Sequence, residues 1–206
     1  MRNHALVRFS LTLMLGLGLS GAALVLSEAQ EPKEGALAPF GGKPQVIPGT
    51  IEFENFDEGA EGVAFHDIEA ANDPKRIDYR KTAVDLEVTP DKKIVLIGHI
   101  KTDEWLKYTV DVAKSGAYEL EFGVSVQGVV PPEIRIEFDG EDVCEPIRIT
   151  TTTQRWYLFN QILGPTVNLE GGRHVMRVVV ANSPKGSSLN LDYVRFVAKR
   201  EPKKSE

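Results

Sequence analysis

The chain has 206 residues, a formal net charge of −6, a pI near 5.4 and a single cysteine. That balance gives no electrostatic reason to bind nucleic acid, and a lone thiol cannot close an intramolecular disulfide. The histidines, His4, His66, His99 and His174, show no metal-ligand spacing, so no zinc site is expected.

Met1 to Ser10 carries Arg2 and Arg8, and Leu11 to Leu26 is an uncharged apolar run followed by the small residues Ser27 and Ala29. A basic start, an apolar middle and small residues at a cut site are the layout of a secretory signal, here cleaved before Gln30. The run is shorter than the ~20 residues a membrane-spanning helix needs. Residues 1–29 are therefore expected to be a leader, and the mature protein to be secreted, periplasmic or at the cell surface without a membrane anchor. Residues 30–46 hold Pro32, Gly35, Pro39, Gly41, Gly42 and Pro44 with few apolar groups, and read as a flexible linker. Residues 199–206 read as a disordered charged tail. Residues 47–198 have the size of one domain.

That domain opens on Ile51 to Asp57, IEFENFD. Strand alternation puts Ile51, Phe53 and Asn55 on one face and Glu52, Glu54 and Phe56 on the other. Two carboxylates then share a face with no Lys or Arg in the strand to separate them. A hard, oxygen-seeking cation such as Ca2+ resolves the conflict if a third acid joins them, and Asp192 is the candidate. The alternative is that both glutamates face water.

Further on, the period is that of β-strands. Ile94 to Ile100 is followed by Trp105 to Val112, in which Leu106, Tyr108, Val110 and Val112 alternate with polar partners. In Ala117 to Val126, Tyr118, Leu120, Phe122, Val124 and Val126 face inward, with Glu119 and Glu121 outward. Ile134, Ile136 and Phe138 continue the pattern. Asp139-Gly140 marks a hairpin turn to a strand over Val143 to Ile149, which would bury Cys144 as a small side chain. Gly171-Gly172 precedes His174 to Ala181, and Leu189 to Val197 is the last strand. Without helical periodicity, this is an all-β chain, an antiparallel two-sheet β-sandwich or barrel, with the sandwich preferred.

The runs IPGTIEFENFDEGAEGVAFHD (Ile47 to Asp67), DYRKTAVDLE (Asp78 to Glu87), DEWLKYTVDV (Asp103 to Val112), SGAYELEF (Ser115 to Phe122), LEGGRHVMRV (Leu169 to Val178) and LNLDYVRF (Leu189 to Phe196) resemble, in order and spacing, carbohydrate-binding modules of family six. Family thirty-five is the near neighbour. The resemblance implies a jelly-roll sandwich of the galactose-binding-domain-like kind, a structural calcium, and a non-catalytic role in holding polysaccharide. In the family, acids on the first and last strands hold the calcium. By resemblance these are Glu52, Glu54 and Asp192, with backbone carbonyls near Tyr79 to Lys81. The family also stacks a sugar between two loop aromatics beside an asparagine, positions filled here by Tyr79, Trp156 and Asn190. Phe159 stands where a second tryptophan is common, and Thr151 to Arg155 replace the glycines that usually precede Trp156. Trp105, on the polar face of its strand beside Glu104, matches a second binding face of some members.

Two other functions compete with polysaccharide binding. One is a glycoside hydrolase with Glu52 and Glu54 as the carboxylate pair, which would place substrate against a flat strand. The other is an envelope or surface interaction protein that has kept the sandwich and lost the sugar. A binding module without its own catalytic domain is expected to serve separately encoded glycan-degrading enzymes as a partner.

Overall fold

A computed structural model describes residues 36–69, 77 and 79–200. The leader over residues 1–29, the first part of the expected linker and the tail beyond Arg200 lie outside the described residues.

Alternation decides the layers. Numbered in chain order, one sheet runs β1 (Gln45–Ile47), β6 (Trp105–Val112), β12 (Gly172–Asn182), β8 (Glu133–Phe138) and β10 (Ile147–Arg148). In the same sheet β3 (Phe65–His66) also pairs with β6, and β9 (Glu141–Asp142) with β8. The second sheet runs β11 (Asn160–Leu169), β7 (Gly116–Gln127), β13 (Ser188–Ala198), β5 (Val95–Ile97) and β4 (Leu86–Val88), with β2 (Gly49–Glu52) also on β13. Only the β1–β6 pair is parallel among the described pairings. The fold is thus the expected all-β sandwich of two largely antiparallel sheets.

Between the sheets lie Tyr118, Leu120, Phe122, Val124 and Val126 of β7, all buried, facing Tyr108 and Val110 of β6, Ile134 and Ile136 of β8 and Met176 of β12. Each strand contributes every second residue, so polar partners such as Glu119 and Glu121 are left on the outer face. Buried Tyr108 meets Phe53 edge-on at 6.1 Å, and its hydroxyl donates to the Phe53 carbonyl at 2.9 Å, which satisfies the polar end of a ring the core needs. Asp139 and Gly140 both take positive φ between β8 and β9, the geometry their sequence pair announces.

Several elements differ from the sequence reading. The strand expected over Ile51 to Asp57 stops at Glu52 and turns through a 3₁₀ turn, Phe53–Asn55. The reason is burial: Phe53 and Phe56 are both fully buried, which a continuous strand would forbid by sending them to opposite faces. Part of the expected linker is built into the sandwich. Gln45–Ile47 pairs with Val110–Val112, Ala38 bridges Glu58, and Ile47 is wholly buried. Pro39, Gly41, Gly42 and Pro44 fall before that strand, where they do not oppose pairing. The strand over Val143 to Ile149 shrinks to two short pairs, so Cys144 is half-buried in a bend rather than sealed in a strand. Strand β11, unread in the sequence, carries Gly164 and Pro165 at a register shift between Leu163 and Thr166. The first residue of the expected tail, Lys199, still donates its amide to Ala117 at 2.8 Å.

One irregularity matters for the site. The register of β13 on β7 shifts between Leu191 and Tyr193, leaving Asp192 as the extra residue of a bulge. Before it Leu189 and Leu191 face the core; after it Val194 and Phe196 do. Asn190 and Asp192, two residues apart, therefore do not share a regular face as they would in an unbroken strand.

Candidate functional site

The first cluster is the carboxylate group at the start of the domain. β2 pairs with β13 so that Glu52 lies opposite Tyr193, beside the bulged Asp192. Glu52, Glu54 and Asp192 line one pocket together with Thr50, Tyr193 and Arg195. The structure thus brings together the three acids singled out in the sequence. Lys93 and Arg195 line the same pocket, yet burial dominates all three acids. Burial, with Glu52 and Asp192 adding repulsion, pushes the Glu54 carboxyl up to about 8. Burial and the charge of Glu52 push Asp192 up to about 6. Burial also raises Glu52, against the opposing pull of Arg195.

Among the described residues no three His, Cys, Asp or Glu side chains are gathered tightly enough to hold an ion by themselves. Glu54 Oε2 nevertheless is buried without a hydrogen-bond partner, the kind of orphaned acceptor that a bound cation satisfies. The three acids that line the pocket are all oxygen donors, the chemistry a hard cation takes.

What seats Glu54 is Arg80, a residue the sequence reading did not single out. Its guanidinium is buried and donates to the carbonyls of Glu54, Phe56 and Asp57 and to the Glu58 carboxylate. It also lies over the Phe56 ring at 3.8 Å and the Phe40 ring at 4.9 Å. One planar cation therefore collects the free carbonyls that the 3₁₀ turn leaves behind. The only sequence signal for it is an Arg beside Tyr79 in the DYR run. Asp57 is fixed separately, accepting from the Thr109 amide at 2.8 Å and hydroxyl at 2.6 Å.

Tyr79 belongs to this end of the molecule. It is half-exposed, stacks against Phe40 at 6.4 Å, and donates its hydroxyl to Asn55 Oδ1 at 2.8 Å. Among the described residues no ring contact joins it to Trp156.

The second cluster is a strap, residues 151–160, which lies on the outer face of the second sheet. Asn160 closes its base by donating to the Thr151 hydroxyl at 2.8 Å, and the Thr153 amide donates to Val126 at 2.8 Å. Its crest is held at three successive residues by three different strands. Ser125 of β7 donates to the Arg155 carbonyl at 2.6 Å. Asn190 of β13 donates to the Trp156 carbonyl at 2.7 Å. The Tyr157 hydroxyl donates to Glu87 of β4 at 2.6 Å. Glu87 in turn is held by His99 Nε2 at 2.8 Å. Gly98 leaves the room: a Cβ there would stand 3.1 Å from Glu87 Oε1 and 3.4 Å from Asn190 Oδ1.

The strap buries its polar supports and exposes its rings. Ser125 and Asn190 are 2% exposed, whereas Trp156 is 48% and Tyr157 36% exposed. Asn190 and Trp156, both foreseen, are thus in contact, but through the backbone of the tryptophan. Tyr157, unforeseen, is the second ring of this surface; its signal in the sequence is simply its place next to Trp156. Phe159 is only half-buried at the strap's end.

Trp105 lies on the outer face of the first sheet, as its polar neighbours indicated. Lys107 Nζ stands 5.0 Å and the Arg177 guanidinium 5.6 Å from its ring, with His66 at 6.1 Å. Glu104, beside it, accepts from the amides of Lys101 at 2.8 Å and Ile68 at 3.3 Å, and burial raises its carboxyl to about 6.

Comparison with known proteins bears on the family and the fold. The model of the family described as carbohydrate binding module (family 6) matches residues 77–198, more than half of the chain. No curated protein sequence matches the chain. Among solved structures, it is similar to a β-1,3-glucan-binding family-6 module from Bacillus halodurans, with a TM-score of 0.56 and 19% identity over 76% of this chain and 100% of that one. A family-6 module from Clostridium stercorarium, solved with cellobiose, gives 0.53 and 15% identity over 77% and 99% of the two chains. A module of Cellvibrio mixtus lichenase 5A, solved with cellotriose, gives 0.50 and 21% over 75% and 99%. At these identities the solved structures show the fold alone.

Proposed function

The chain belongs to family 6 of the carbohydrate-binding modules, and on that premise we propose that it is a secreted, non-catalytic module that holds polysaccharide at the strap and is stabilised by calcium. The observation that carries this reading is the presentation of Trp156: a large ring left half in water on a segment whose backbone is pinned from beneath. Pyranose faces carry C–H patches that stack on such rings, while solvent-facing polar groups serve the hydroxyls. Trp156 and Tyr157 supply the stacking surface, with Asn190 setting the height of the tryptophan. Tyr79, expected from the family resemblance as the first stacking ring, lies instead at the carboxylate end against Phe40 and Asn55. Glu52, Glu54 and Asp192 hold the calcium, which ties the opening strand to the closing one and takes no part in chemistry.

One feature supports binding rather than hydrolysis: Glu54 is 8% exposed, out of reach of a polymer. The candidate ligands are β-linked glucans, the class held by the similar modules from Bacillus halodurans and Cellvibrio mixtus. Partners of this kind are separately encoded glycan-degrading enzymes, which gain local concentration when a module holds their substrate nearby.

Affinity gel electrophoresis and calorimetry against laminarin, cellotriose and xylan test the proposal. Binding with a dissociation constant on the order of micromolar to millimolar is expected for one stacking cleft. It should weaken roughly thirtyfold in Trp156→Ala and be unchanged in Trp105→Ala. No binding to any of the three in the presence of calcium overturns the proposal in favour of a sandwich that serves as an interaction protein.

A further inference from the structure

The crest of the strap crosses the sheet. Residues 155, 156 and 157 are held by β7, β13 and β4 in turn, and the spatial order of those strands is β7, β13, β5, β4. Strands lie about 4.8 Å apart, so consecutive strap residues step from strand to strand and Tyr157 reaches past β5 to its anchor. The bonded atoms are the carbonyls of Arg155 and Trp156 and the hydroxyl of Tyr157. All three supporting side chains are buried: Ser125 and Asn190 at 2% exposure and Glu87 at 9%. A buried amide or hydroxyl that is already committed to the backbone above it presents little to a ligand in solution.

We propose that Ser125, Asn190 and Glu87 are positioning residues that hold the strap in register across three strands, so that Asn190 acts on the ligand through Trp156 and not by touching it. This inference rests on the reading of the strap as the glycan site. His99 completes the device by fixing the Glu87 carboxylate from its other oxygen. Gly98 is part of it, because any side chain there would press on both Glu87 and Asn190. The rings of Trp156 and Tyr157 are then presented on a rigid segment, and the ordering cost of binding falls before any sugar arrives.

The test uses the full chain and two readouts. Backbone amide exchange at residues 155–158 reports the strap without any ligand, and calorimetry with laminarin and with cellotriose reports binding. Asn190→Ala and Tyr157→Phe each remove one support, and each is expected to speed exchange at the crest roughly tenfold, the scale of one lost hydrogen bond. Affinity should fall by the same factor for every probe the unaltered protein binds, leaving the preference between probes unchanged. Glu87→Gln keeps an acceptor for the Tyr157 hydroxyl and should stay within about twofold of the unaltered protein. Tyr157→Phe removes one hydroxyl and keeps the ring, so it tests the device irrespective of how Asn190→Ala behaves. Unchanged exchange in both variants, or a loss confined to one probe, overturns the proposal. If neither probe binds the unaltered protein, the glycan reading fails, and exchange at the crest still decides the role of the supports.

Discussion

Stripping calcium should expose the electrostatic cost of the carboxylate cluster, and the cost should depend on pH in a definite direction. Glu54 ionises near 4.5 when solvated and near 8 in the fold, so the folded state holds a proton that the unfolded chain has lost between those values. Its contribution to stability is therefore greatest below pH 4.5 and is lost as pH rises towards 8. Each pH unit in that window removes about 1.36 kcal/mol, so from pH 4.5 to 7 the chelated protein loses about 3 kcal/mol through this one group. For a domain of this size that is a fall in Tm of about 10 °C. Asp192 and Glu52 act in the same direction, their folded values being raised too. The lowered carboxyls, Asp91, Asp111 and Asp139, titrate below this window. Glu104 and Asp67 are raised and share the sign, so the comparison that isolates the cluster is with Glu54→Gln. Calorimetric scans between pH 5 and 8 should show a falling Tm in chelator. Millimolar calcium should restore most of the loss at pH 8 and little at pH 5, because the ion competes with protons for the same oxygens. Glu54→Gln should flatten the slope in chelator and abolish the response to calcium. The reasoning is refuted if the chelated Tm is level across this range, or if calcium lifts Glu54→Gln as far as the unaltered protein.

Other substitutions separate the two clusters. Trp156→Ala should weaken binding of laminarin or cellotriose by about 2 kcal/mol, roughly thirtyfold, with Tm unchanged within 1–2 °C, as expected of an exposed anchor. Arg80→Met leaves the carbonyls of Glu54, Phe56 and Asp57 without their donor. It should cost about 3–5 kcal/mol in a urea titration and reduce the calcium response along with it. Gly128→Ala should destabilise by about 1–3 kcal/mol, because φ there is +120° and the added Cβ would stand 2.7 Å from the Gly186 carbonyl oxygen.

How much of this was legible in the sequence depends on how local the cause is. The inward set of β7 and the Asp139-Gly140 turn were readable because alternation and positive φ are properties of neighbouring residues. The ending of β2 at Glu52 was not, since it follows from both Phe53 and Phe56 being needed in the core, a demand made by Tyr108 and Phe65 from far along the chain. The convergence of Glu52, Glu54 and Asp192 was reached from the charge conflict and the family resemblance together; residue spacing alone leaves the partner strand open. The bulge at Asp192 shows no local mark, because a register shift belongs to the pairing of two strands distant in sequence. The Pro- and Gly-rich stretch read as a linker misled for the opposite reason: composition described its turns and hid Gln45 and Val46, which pair with β6. At the strap, Trp156 was identifiable, but the direction in which Asn190 would point was not. That depends on Gly98 and Glu87, which come from other strands.

Both clusters meet on β13. Asp192 supplies the last acid of the carboxylate group, and two residues earlier Asn190 holds the carbonyl of Trp156. The bulge between Leu191 and Tyr193 lets one strand serve both. It turns Asp192 towards β2 while Leu189 and Leu191 stay in the core, and so keeps Asn190 on the outer face beneath the strap. Without the extra residue, a strand in this register would either bury the acid or lift the asparagine away from its carbonyl. An ion at Asp192 ties this part of β13 to β2, and any tightening there is transmitted over two residues of paired backbone to the support of the stacking ring. On the proposed function, a calcium held there would steady the glycan surface without touching the glycan, which is why the carboxylates and the aromatics belong to one physical account.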